Sequence, residues 1–192
     1  LDLTYVVTDA EFDGPTPGRN SMMSFASVAV TGGRIGATFE AVLAPLPEAE
    51  PDAFTLKWFH TVPEALAAAT LGPAPPGKVM TDFVAWVRAL PGDAVFAAHP
   101  LALDGVWFDY YLQRFAGERL MEGPWKKDRL FRTAALCIRS FAAGRLGWQV
   151  SDCSPDTYPP AWLGDHSHSH RAIDDALGYA HLLIKLLARP AI

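Results

Sequence analysis

The start of the chain alternates short apolar, β-branched runs with turn residues. Tyr5-Val6-Val7-Thr8 is a strand run that ends at an acidic cluster, residues 24–30 form a second strand candidate, and Thr31-Gly32-Gly33 makes a turn into a third over residues 34–43. This pattern predicts a three-stranded antiparallel meander, closed by Pro45, Pro47 and Pro51. The period then changes. Helical spacing runs over residues 52–69 and again over 79–90, where Val79, Phe83, Val84, Val87 and Leu90 share a face, with the proline-glycine stretch 72–77 between them. Residues 94–98 have the length and apolar character of a buried parallel strand, followed by a helix over 104–115. Residues 130–145 read as another helix, 147–165 as irregular with Pro155, Pro159 and Pro160, and 171–188 as a final amphipathic helix. Strands first, then alternating helices and strands, imply an α/β architecture: a mixed sheet flanked by helices.

At 192 residues, half of them hydrophobic, the chain can bury one substantial core, and a single domain over 1–192 is expected. No apolar run approaches the roughly 20 residues needed to cross a bilayer. Leu1-Asp2-Leu3-Thr4 lacks the charged start of a signal peptide, so the chain reads as soluble and cytoplasmic. Cys137, in a helical pattern, and Cys153, in a polar loop, are too few for a disulfide framework. The net charge of −5 argues against a broad basic surface for long nucleic acid, so any nucleic-acid contact must be local.

Three polar clusters carry candidate chemistry. Asp9 and Glu11, two apart directly after the first strand run, would aim both carboxylates to one side of an extended chain, the hard-oxygen arrangement that Mg²⁺ or Mn²⁺ requires. Such a pair is otherwise a solvated turn. Asp104 stands where the buried strand meets its helix, downstream of His99 and Pro100, and capping of the helix N-terminus would be compatible with metal binding. The third cluster runs from His166 to Ala176, with His170 and Asp175 five apart across a helix start; His166 and His168 read as a surface loop with incidental affinity for a transition metal.

In this order and at these intervals the clusters resemble the DEDDh 3′→5′ exonucleases, a family that includes RNase T, oligoribonuclease and the proofreading epsilon subunit of DNA polymerase III. Asp9-Ala10-Glu11 matches its first motif, and His170 through Asp175-Ala176 matches its last, which leaves Asp174 as a neighbour. The middle motif departs from the family form: Pro100 stands for an Asn after His99, and Leu103 for a Phe before Asp104, while Asp109, after Phe108, is the rival for the same role. The resemblance implies an RNase H-like fold. It also implies that Asp9, Glu11, Asp104 and Asp175 hold two divalent cations, Mg²⁺ or Mn²⁺, and that His170 is the catalytic base. The stretch 14–24 and Thr55-Leu56-Lys57-Trp58 look like the small bacterial exoribonuclease branch, which implies substrate contacts at Asn20, Ser21, Met22, Trp58 and His99; core packing is the competing fate of Met22 and Trp58.

The expected partner is the 3′ end of single-stranded or short RNA or DNA, with RNA slightly favoured because a short strand needs little basic surface. A DNA-directed proofreading or repair exonuclease and a non-catalytic nucleic-acid-binding domain of the same fold are the alternatives. A homodimer is open, since Leu182, Leu183, Leu186 and Leu187 on the last helix could pack in the core or across an interface.

Overall fold

The computed structural model describes residues 2–166 and 168–190. Leu1, Ser167, Ala191 and Ile192 lie outside them. The chain forms β1 (Leu3–Phe12), β2 (Met22–Thr31) and β3 (Arg34–Val42), then α1 (Ala53–Phe59), α2 (Pro63–Thr70) and α3 (Pro76–Arg88). It continues through β4 (Asp93–Ala98), α4 (Leu101–Ala116), β5 (Leu136–Cys137) and α5 (Ile138–Leu146) to α6 (Ala172–Leu187). The sheet order is β3-β2-β1-β4-β5. The meander is antiparallel as expected, whereas β4 runs parallel to β1 and β5 parallel to β4. The α/β architecture with a mixed sheet is therefore present.

Burial on both faces explains why β1, β2 and β4 are almost continuously apolar. Side chains alternate between two cores. Val6, Ala10, Phe12, Phe25, Phe96 and Ala98 pack under α3 and α4 with Phe83 and Phe108, and the Phe12 and Trp107 rings stack at 4.4 Å. Val7, Ala26, Val28 and Ala97 face α5 and α6, where Ala172, Ala176 and Ala180 let α6 approach the sheet closely. Leu182, Leu183 and Leu186 are consumed by this second core and offer no free dimer face.

Several boundaries correct the sequence reading. β1 does not end before the acidic pair: it runs on to Phe12, because β2 keeps pairing through Glu11↔Ser24 and Phe12↔Met22. The helix expected over 52–69 is two helices, since Val62 precedes Pro63 and adopts φ −128° and ψ 64°, outside the helical region. Residues 130–135 are not helical. There the Arg132 amide donates to the Ala94 carbonyl at 2.8 Å and Phe131 packs edge-on against Phe96, so tertiary contacts along β4 override local helical spacing, and the helix begins only at Ile138. α4 begins at Leu101, which moves Asp104 from a capping position into the first turn. Cys153 lies in the irregular stretch as expected, but its side chain is fully buried in the second core. Three short 3₁₀ turns punctuate the otherwise irregular stretch 147–165.

One buried polar contact fixes the start of β2 over the first core. The Met22 amide donates to the Tyr111 hydroxyl at 2.8 Å, with both residues fully buried. Tyr111→Phe leaves that amide without an acceptor and should cost about 1–3 kcal/mol. Urea unfolding checks this, and an unchanged midpoint would show that the amide finds another partner.

Candidate active site

Asp9 and Glu11 are alternate residues of the central strand, so they leave the sheet on the same face as Val7, the face covered by α6. Asp104 lies in the first turn of α4 on the stripe that continues as Trp107, Phe108 and Tyr111, and Asp175 lies in the first turn of α6 on the stripe of Ala172, Ala176 and Tyr179. Each helix thus uses its core-facing stripe to carry one aspartate to the sheet. Exposures are 9% for Asp9 and Glu11, 2% for Asp104 and 4% for Asp175. All four line one cleft of about 300 Å³, together with His99, His168, His170, Arg139 and Tyr179. The positive ends of two helices reach it, which favours anionic groups there.

Within the cluster, Asp9, Glu11 and Asp175 each present a carboxylate oxygen, and these atoms lie within 4.8 Å of one another. Asp104 completes the acidic wall, its Oδ1 accepting from the Ala10 amide at 3.2 Å. Among the described residues, Asp9, Glu11 and Asp104 have no ion-pair partner. Burial, and then the charges of Asp104, Glu11 and Asp175, push the Asp9 carboxyl well above its ordinary range. Burial with the charges of Asp175 and Asp104 raises Glu11 to about 8. Burial likewise raises Asp104 to about 7, against the pull of the Ala10 amide. Carboxylates held this close without a cation resist ionisation.

The histidine loop folds around Asp175. Its Oδ1 accepts from the Ser169 amide at 3.1 Å, and its Oδ2 from the His170 amide at 3.2 Å and from His168 Nδ1 at 3.0 Å. His170 sits in the left-handed region at φ 57°, which turns its ring back over the cleft, where the exposed edge of α1 meets it: the Trp58 and His170 rings lie edge-to-face at 4.8 Å. Burial and the neighbouring His168 hold His170 below its ordinary 6.5, and the hydrogen bond to Asp175 raises His168.

The structure brings Asp9, Glu11, Asp104, Asp175, His170 and His99 to one cleft, with Trp58 at its rim, 41% exposed. It does not bring the side chains of Asn20, Ser21 and Met22. Asn20 Oδ1 accepts from the Thr16 amide and its Nδ2 donates to the Glu50 carbonyl, Ser21 Oγ accepts from the Leu46 amide, and Met22 is fully buried in the first core. The polar atoms of Asn20 and Ser21 staple loops, and the three side chains stand outside the cleft. His99 is 5% exposed, stacked on Tyr179 at 4.6 Å and bonded through Nε2 to the Tyr158 hydroxyl at 3.0 Å, and burial holds it down to about 4. It is a neutral wall residue. Asp109, the rival of Asp104, faces away: it pairs with Arg119 and accepts from the Leu120 amide at 3.0 Å. Asp174 bonds Ser169 Oγ instead of entering the cleft.

Sequence reasoning missed three cleft residues. His168, whose alternation with serine reads as a surface loop, meets Asp175. Arg139 fell inside a helix drawn too long. Tyr179, four residues after Asp175, was readable from helical periodicity alone.

The donor set fits a hard divalent cation: three carboxylate oxygens on one spot, a fourth carboxylate beside them, and raised carboxyl pKa values that a cation would reverse. Asp9, Glu11, Asp104 and Asp175 would hold it.

A family profile described as exonuclease, RNase T, matches residues 6–183. No curated protein matches the chain in sequence. Among solved structures, the nuclease domain of 3′hExo, a DEDDh family member bound to rAMP, is 12% identical with a TM-score of 0.64, over 97% of this chain and 91% of that one. Exonuclease X in complex with 5′ overhanging duplex DNA is 19% identical with a TM-score of 0.56, over 96% and 90%. E. coli exonuclease I in complex with a dT13 oligonucleotide is 14% identical with a TM-score of 0.65, covering 98% of this chain but 41% of its own length. The chain belongs to the RNase T exonuclease family, and the expected RNase H-like fold is the fold of these neighbours.

The carboxylate cluster should set the pH dependence of stability. Glu11 and Asp104 keep protons in the folded state up to about 8 and about 7, whereas unfolded carboxyls are ionised well below that. A raised folded pKa gives stability that is lost as pH rises through it. His99 and His170, whose folded pKa values are depressed from 6.5, act oppositely only below that pH, and His168, raised by its hydrogen bond to Asp175, adds to the loss above it, so over 6.5–8 these groups all act in one direction and Asp104→Asn separates the carboxyl share. In EDTA the melting temperature should therefore fall across this window. Mn²⁺ should flatten the fall by favouring the ionised carboxylates, and Asp104→Asn should reduce the slope. A metal-free melting temperature that is flat or rising there would contradict the buried, unpaired state of the cluster.

Proposed function

We propose that this chain is a metal-dependent 3′→5′ exonuclease that shortens single-stranded or short nucleic acid, RNA in preference to DNA, one nucleoside 5′-monophosphate at a time, through one domain over residues 1–192. The observation that carries the reading is the convergence of four carboxylates from β1, α4 and α6 on one cleft whose rim holds a histidine on left-handed backbone. A binding domain without turnover has no use for that arrangement, because clustered carboxylates repel phosphate unless a cation intervenes.

Two divalent ions on Asp9, Glu11, Asp104 and Asp175 would supply the charge that attracts the scissile phosphate, lower the pKa of a bound water and stabilise the departing 3′ oxygen. The chain's own groups do the rest. His170, kept below its ordinary pKa, is largely neutral at pH 7 and can accept the proton of the attacking water. Asp175 pins the backbone of the loop that carries His170, and Trp58 packs against the His170 ring, so the base has a defined orientation. The Trp58 face left exposed can stack on the terminal base. Arg139, the guanidinium on the cleft wall, can meet a phosphate, with its Nε held by the Val150 carbonyl at 3.0 Å. The preference for RNA is supported by the acidic chain and the small cleft, which suit a short strand with few phosphate contacts.

The reading is tested with Mn²⁺- or Mg²⁺-dependent degradation of matched 5′-labelled and 3′-labelled RNA and single-stranded DNA. Stepwise shortening from the 3′ end is expected, abolished by Asp175→Ala and slowed about 10²–10⁴-fold by His170→Ala. Normal turnover in His170→Ala would remove its assignment as base. Absence of cleavage by folded, metal-loaded protein on both polymers would overturn the enzyme reading.

A further inference from the structure

Asp175 is shared by two ligand sets of different chemistry. With Asp9 and Glu11 it makes an all-oxygen group, and with His168 and His170 it makes a second group in which one ring nitrogen of each histidine and one carboxylate oxygen lie within 4.8 Å of one another. Imidazole nitrogen does not suit Mg²⁺ but suits Zn²⁺ and similar transition metals. We propose that His168, His170 and Asp175 form an inhibitory transition-metal site, taking Zn²⁺, beside the hard-cation site and coupled to it through Asp175.

The geometry is close to what such an ion needs. A tetrahedral Zn²⁺ with bonds of about 2.0–2.1 Å spaces its ligand atoms roughly 3.3 Å apart. His168 Nδ1 and Asp175 Oδ2 already stand 3.0 Å apart, near one edge of that tetrahedron. The His168 and His170 rings are 4.3 Å apart between centroids, so a small ring rotation brings the third ligand in. The site is built by the fold as well as by proximity. The Ser169 and His170 amides bind the two oxygens of the same carboxylate, which wraps the loop around Asp175 and holds both imidazoles beside it. His168 remains solvent-accessible, leaving a path for the ion and a fourth position for water.

The consequence for activity rests on the function proposed above, but the binding does not. A coordinated His170 nitrogen has no lone pair with which to accept a proton, and Asp175 shared with Zn²⁺ donates less well to the hard cation. Zn²⁺ should therefore inhibit even in excess Mg²⁺.

The test is direct metal binding to the full chain in excess Mg²⁺: Zn²⁺ by calorimetry, and Co²⁺ by its visible absorption, which reports nitrogen ligation and low coordination number. Wild type should bind one ion with the spectrum of a four-coordinate site. His168→Asn, which can still bond Asp175, should weaken binding by at least about 10–100-fold, the cost that even a change beyond the ligands carries. Asp104→Asn and His166→Asn should keep binding, with melting temperatures verifying that each variant is folded. Half-inhibition by Zn²⁺, referred to each protein's own Mn²⁺ activity and compared among wild type, His166→Asn and His168→Asn, should shift upward for His168→Asn alone. Undiminished binding in His168→Asn, loss of binding in Asp104→Asn, or no binding in excess Mg²⁺ would each overturn the site. An inactive protein that still binds Zn²⁺ through His168 would instead overturn only the exonuclease reading.

Discussion

Four carboxylates in one shallow pocket of low exposure repel one another and lose hydration together, and the surrounding structure can be understood as what it takes to hold them there. Neither burial nor repulsion relaxes by side-chain rotation, because each acid is on the core-facing stripe of a regular element whose other members are packed. Asp104 shares its stripe with Trp107, Phe108 and Tyr111, and Asp175 shares its own with Ala172, Ala176 and Tyr179. Asp9 and Glu11 are on the central strand, hydrogen-bonded on both sides along much of its length. Moving any one of the acids means moving a packed element. The strain of the cluster is therefore retained, and it is relieved most directly by a cation.

The fold was readable from the chain where burial and period agree. The meander follows from β-branched runs set apart by Gly32 and Gly33, and α6 from apolar spacing over its whole length. What escaped depended on partners distant in sequence. Residues 130–135 have helical spacing, but the Arg132 amide is given to Ala94 of β4 and Phe131 packs on Phe96, and no local pattern reports where a sheet edge will be. The split between α1 and α2 was written in Pro63 and its effect on Val62, a local rule outweighed in reading by a longer apolar rhythm.

The site divides the same way. Its acids and His170 could be chosen by spacing, since each motif sits on one element. Asp104 and Asp109 differ by five residues on α4, and the structure separates them by what else wants each carboxylate: Arg119 and the Leu120 amide take Asp109, while the Ala10 amide on β1 takes Asp104. Asn20, Ser21 and Met22 illustrate the opposite case, in which side chains of types suited to substrate contact are engaged in loop and core. His168 was passed over because an alternation of His and Ser looks like a solvated loop, and only the folding of that loop around Asp175 gives the ring a partner.

His99 ties the two sides of the cleft together and explains why a neutral histidine is useful beside so much negative charge. It directly follows β4, stacks face to face on Tyr179 of α6 and reaches the Tyr158 hydroxyl, so one ring links the end of the strand, the last helix and the irregular stretch before it. A protonated ring there would put a positive charge on the wall of the same cleft, where a metal ion would meet it. Burial prevents this by holding the ring down to about 4, which leaves it neutral throughout the range in which Glu11 and Asp104 give up their protons. On the proposed reading the acids are thereby kept for an external cation, and the only guanidinium on the described cleft wall, Arg139, is left for a phosphate. On the function proposed above, an acidic protein acts on an anionic polymer because the attraction would be concentrated in cations held at one point and confined to the few phosphates that reach them.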